Sequence, residues 1–148
     1  MNLKDKINQD LKDSMKSGDK IRLSVVRSIR ALILEFEKSG AAKELTPDEE
    51  LKMLTTAAKK RKESIEQFRN AGRNELADTE EAELKILMNY LPKQMDEIEI
   101  KNEIIRLASE IGAKNKVDFS KLMPLVMKEL KGKADGKLVK SIVENYLV

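Results

Sequence analysis

The sequence contains neither cysteine nor histidine. The first absence excludes disulfides, thiol nucleophiles and thiolate metal sites. Together the two leave a structural zinc ion without its usual ligands and remove the commonest general base. Aromatic residues are only 3% of the 148 residues, so little is available to stack on unpaired bases. Three prolines and six glycines leave little of the chain for loops. No apolar run approaches the roughly 18–20 residues needed to span a bilayer. The polar start, with Asn2, Lys4, Asp5 and Lys6, shows no signal peptide. From these absences we expect a cytoplasmic protein with no metal, no cofactor and no membrane partner.

What is present points to helices. Charged residues make up 37% and hydrophobic residues 41%, a balance suited to helical faces that are alternately solvated and packed. Leu3, Ile7, Leu11 and Met15 form the stripe of a first helix that stops at Gly18. Asp19 can cap a second, with Val25, Val26, Ile29, Leu32, Ile33 and Phe36 inward and Gly40 at its end. Thr46-Pro47-Asp48-Glu49 predicts a third helix opened by a capping box. It runs to Gly72, about 37 Å at 1.5 Å per residue. A fourth, through Leu76, Leu84, Leu87 and Met88, ends at Tyr90-Leu91-Pro92, because proline disfavours helix in the residue before it.

We place a domain boundary there, giving units 1–92 and 93–148. In the second unit, Asp96 caps a fifth helix closed by Gly112, and Asp118 caps a sixth closed by Gly132. A seventh starts near Asp135-Gly136. Pro124 lies deep enough in the sixth to predict a kink or a late start. No segment alternates as a strand would. The expected fold is all-α, with long helices in the N-terminal unit and a compact three-helix C-terminal unit.

Charge is unevenly placed. Residues 113–148 sum to +4, against −2 for 93–112 and +1 for 1–92. The basic part contains LKGKADGKLV at 130–139. It fails as a nucleotide-binding P-loop: the glycines are one residue too close, Leu138 stands where Ser or Thr is required, and a helix precedes it. A turn between helices fits better. Gly132 closes one helix and Gly136 opens the next, where bare backbone N–H groups favour phosphate. Lys131, Lys133, Lys137 and Lys140 surround that start. The bland alternative is a turn whose lysines are merely solvated, and composition alone favours it.

Elsewhere, Lys59-Lys60-Arg61-Lys62 interrupts the third helix, and Arg61 falls on its apolar stripe. An antiparallel fourth helix would bring Glu80 or Glu83 alongside as a structural partner. Glu80, Glu81 and Glu83 could be imagined around magnesium, but acidic residues near a helix start are favoured without any metal. No nucleophile and base can be singled out, so no catalytic residue is assigned.

Taken together, KRKESIEQFRNAGRNELADTEEAELKILMNYLPKQM (60–95) and VDFSKLMPLVMKELKGKADGKLVKSIVENYL (117–147) resemble the GatB/YqeY family. The shared pieces are Arg61, Ile65, Phe68, Gly72-Arg73, Glu80, Glu83, Tyr90-Leu91-Pro92 and the Lys131–Lys137 turn. The second half is similar to the tail domain of GatB, the tRNA-binding subunit of a glutamine-dependent amidotransferase. One departure is Ser120, where such tails usually have glycine.

The resemblance implies contact with tRNA, and association with an amidotransferase or an aminoacyl-tRNA synthetase. GatB's chemistry belongs to its catalytic cradle rather than its tail. The expectation is therefore a non-catalytic tRNA-binding or accessory module. Its nucleic-acid-binding residues would be Lys131, Gly132, Lys133, Gly136, Lys137 and Lys140, with Arg61, Glu80, Glu83 and Pro92 structural. The alternatives are participation in glutamine-dependent carbon–nitrogen ligation and a protein–protein adaptor.

Overall fold

Helix ends in this chain are set by short-range chemistry. The computed structural model describes residues 1–40 and 44–148. Among them are seven α-helices, one 3-10 turn and no strand: α1 Leu3–Ser17, α2 Lys20–Lys38, α3 Pro47–Asn70, α4 Asn74–Met88, α5 Glu97–Ile111, the 3-10 turn Lys116–Asp118, α6 Phe119–Glu129 and α7 Gly136–Tyr146. The fold is all-α. Asn2, Asp19, Thr46 and Asp96 each accept a hydrogen bond from the backbone N–H three residues on, satisfying a donor that the first helical turn leaves free. The Thr46 box is only half formed: its Oγ1 accepts from Glu49 N at 3.2 Å, and no return bond to Glu49 is present among the described residues.

Two compact units result, Met1–Leu91 and Pro92–Val148, each with its own core. In the first, Ile7, Val25, Val26, Ile29, Ile33, Leu54, Ala58 and Leu87 pack together. Here α1 packs on α2, and α4 packs on both α2 and α3. The α1 stripe differs from its expected course. Met15 is exposed and Ser14 is buried instead, its hydroxyl donating to Leu11 O at 3.2 Å. A strict four-residue spacing drifts around a 3.6-residue helix: position 15 lies about 120° from Leu3, whereas position 14 lies within about 20°.

The second unit packs α5, α6 and α7 mutually around Ile100, Ile104, Leu107, Leu122, Val126, Val139, Val143 and Leu147. The entry to α6 differs from the expected Asp118 cap. Asn115 caps the 3-10 turn, and the Asp118 carboxylate turns back to accept from Lys114 N at 2.9 Å and Asn115 N at 3.2 Å. These two backbone donors hold the Asp118 carboxyl below the usual carboxylate range. Helix α6 does not start late, since it runs through Pro124. Proline has no N–H for the carbonyl of Ser120, four residues back.

Candidate nucleic-acid interface

The basic turn is built from the end of α6. After Leu130, Gly132 takes a left-handed conformation with φ 74°, open to glycine without steric cost. Lys133 N donates to Leu130 O at 2.9 Å. The turn is then clamped from outside. Gln94 Nε2 donates to Gly132 O and Pro92 O, each at 2.8 Å, and Met95 N donates to Lys133 O at 2.8 Å. The carbonyls of the turn are thereby occupied by residues 94–95, and the side chains of Lys131 and Lys133 remain exposed.

Asp135 then stands at the N-cap of α7, with no hydrogen bond from its side chain to the helix start. Its carbonyl accepts from Val139 N at 3.0 Å. The N–H groups of Gly136, Lys137 and Leu138 find no acceptor among the described residues, leaving the positive end of the helix dipole open. Lys137 and Lys140, also exposed, occupy its first two turns. Lys140 Nζ lies 4.0 Å from Glu144, at the outer limit of an ion pair and weakly held.

The cluster thus sets four solvated ammonium groups against the exposed carboxylate of Asp135. Lys133 also helps to hold the Glu103 carboxyl below its ordinary range, after the larger effects of Arg106. Gly136 is not forced to be glycine: a Cβ there would meet only Met127 Cε at 3.5 Å. The sequence reading missed Gln94 and Met95, which fix the turn from 38 residues away. Their only signal was their place just after the Pro92 helix stop.

In the first unit, Arg61 lies between α3 and α4. Its Nη1 is 3.2 Å from Glu80 Oε2 and also contacts Glu83. Its Nη2 is 3.3 Å from Ser28 Oγ. Glu81 turns to Arg69 at 3.2 Å, so these three carboxylates are engaged by arginines. Among the described residues no group of three carboxylates is placed to hold a metal ion. All five aromatic side chains, Phe36, Phe68, Tyr90, Phe119 and Tyr146, are half-buried. Tyr90 donates to Asp10, which also pairs with Arg22 at 3.1 Å.

The sequence model of the Yqey-like proteins matches residues 4–147. The chain belongs to the YqeY-like family. That match does not single out the tail domain of GatB. Among curated relatives, the chain is 34% identical over 146 residues to altered inheritance of mitochondria protein 41, mitochondrial, of Pyrenophora tritici-repentis, covering 96% of this chain and 79% of that protein. An uncharacterized protein of Schizosaccharomyces pombe is 37% identical over 99 residues, covering 66% of this chain and 78% of that one. The Lachancea thermotolerans protein of the same mitochondrial name is 29% identical over 111 residues, with coverages of 74% and 59%. The expected cytoplasmic location is overturned by the relatives that share the altered-inheritance-of-mitochondria name, which are named as mitochondrial. A polar start to the sequence was no ground for assigning a compartment.

Proposed function

We propose that the chain is a non-catalytic accessory module that binds folded RNA of the tRNA type through the Lys131–Lys140 turn. The observation that carries this reading is the pairing of four exposed lysines with three unbonded amides at the start of α7. Phosphate is the ligand that uses both features. Half-buried aromatics leave recognition to the backbone and shape of the RNA, which favours a folded molecule over an unpaired strand. The resemblance of residues 117–147 to the tRNA-binding tail of GatB points the same way, toward work beside an amidotransferase or a synthetase. A competition experiment tests it. Folded tRNA should displace a labelled tRNA from the protein at much lower concentration than an unstructured oligonucleotide of equal length. Equal displacement by both would refute shape-based recognition.

A further inference from the structure

Helices α2 and α3 are consecutive, yet they have little direct contact; α4 is the partner of each. Between them runs an open groove of about 460 Å³. Leu32 and Phe36 of α2 and Met53 and Ala57 of α3 form its apolar lining. On the α3 side, Lys52 and Lys60 line it and are exposed. Neither lysine has a carboxylate within ion-pair distance among the described residues. Arg61, at the same groove, is already satisfied by Glu80, Glu83 and Ser28. The unpaired cations of the groove are therefore the two lysines, eight residues and about 12 Å apart along α3, with Glu49 the carboxylate of the lining.

We infer that this groove receives an amphipathic helix of a partner protein, with an apolar stripe flanked by carboxylates spaced to meet Lys52 and Lys60. An apolar trough between two helices is the receptor half of helix-in-groove recognition. Met53 gives its floor an adaptable surface. The lysines fix the orientation and select acidic flanks by charge complementarity. Glu49 lies one helical turn before Lys52 and Met53 and partly offsets the positive charge at that end, so Lys60 meets the less opposed of the partner's two carboxylates. The inference is independent of RNA binding, since its residues lie in the other unit.

The test uses the full chain, isotopically labelled, and a designed 18-residue helical peptide with leucines at i, i+3, i+4 and i+7 and glutamates seven residues apart. A control peptide carries lysines in place of the glutamates. The acidic peptide should shift the amide signals of Leu32, Phe36, Met53 and Ala57, and bind at least ~5-fold more tightly than the control, as two exposed ion pairs allow. Lys52→Glu/Lys60→Glu should reverse that preference, with circular dichroism confirming the fold. If the variant fails to fold, the preference of the wild-type protein alone decides. No shift with either peptide, binding blind to peptide charge, or shifts elsewhere would overturn the inference. So would self-association of the chain through these residues, or their perturbation by anionic vesicles but not by the peptide.

Discussion

Replacing Arg61 by alanine should destabilise the first unit far more than the same change at Arg69, two turns along the same helix. The two arginines make similar contacts to α4. Arg61 meets Glu80 at 3.2 Å and also contacts Glu83, and Arg69 meets Asp78 at 2.7 Å and Glu81 at 3.2 Å. Burial separates them. The Arg61, Glu80 and Glu83 side chains are 16%, 26% and 15% exposed, whereas Arg69 and Asp78 are 36% and 67% exposed. Truncating one partner of a buried pair costs about 3–5 kcal/mol, and an exposed pair is worth about 0–1 kcal/mol.

The Arg61 set is mostly buried but not dry, so Arg61→Ala should cost roughly 2–3 kcal/mol between those limits. It strands two carboxylates on adjacent turns of α4 and removes the donor to Ser28 Oγ, whose hydroxyl still donates to Val25 O. For a unit of this size the loss corresponds to a fall in Tm of about 10–20 °C. Scanning calorimetry of the full chain reads it directly, with Arg69→Ala as the matched control that should scarcely move. In a Glu80→Gln/Glu83→Gln background, Arg61→Ala should cost markedly less, because no unpaired charge remains. Equal shifts for the two arginines, or no shift for Arg61→Ala, would refute burial as the reason for the difference.

Three further outcomes follow from local geometry. Gly132→Ala should destabilise by about 1–2 kcal/mol, because a Cβ is strained in the left-handed region, whereas Gly136→Ala should be tolerated; chemical denaturation of both variants distinguishes the two glycines. Burial, and then the hydrogen bond to Asp10, raise the Tyr90 phenol well above its ordinary value. Its contribution is therefore fully present below about pH 10 and is lost as pH rises toward the folded value. Urea midpoints at pH 8.5 and 10.5 should fall less for Tyr90→Phe than for wild type. Residues 92–148 expressed alone should give a helical circular dichroism spectrum, since their core is internal to that unit; a random-coil spectrum would show dependence on the first unit.

Much of the helix framework was legible because its signals are local. Gly18 and Gly112 are left-handed C-caps, as expected, and Asp19, Thr46 and Asp96 all cap; Gly132 is left-handed too, but α6 already ends at its C-cap Leu130. Errors arose where a competing partner, near or far in sequence, decided the outcome. Asp118 could cap α6 by its position, but two backbone donors from 114 and 115 captured its carboxylate first. The basic turn was legible as a turn with lysines around it. Its clamp by Gln94 and Met95 was not, because those bonds join residues 38 apart in sequence. The groove between α2 and α3 was equally hidden: hydrophobic periodicity marks Leu32 and Phe36 as inward, but does not say that they line an open groove with α3.

The central claim is that the turn at α7 holds RNA phosphates, and a salt titration of tRNA binding tests it most directly. If about three of its four lysines contact backbone phosphates, log affinity should fall against log salt with a slope near −2 to −3. Lys133→Ala/Lys137→Ala, with its fold confirmed by circular dichroism, should flatten that slope by about two and weaken different tRNAs about equally. The same slope for wild type and variant would mean that the lysines are only solvated, and the proposed interface would be wrong.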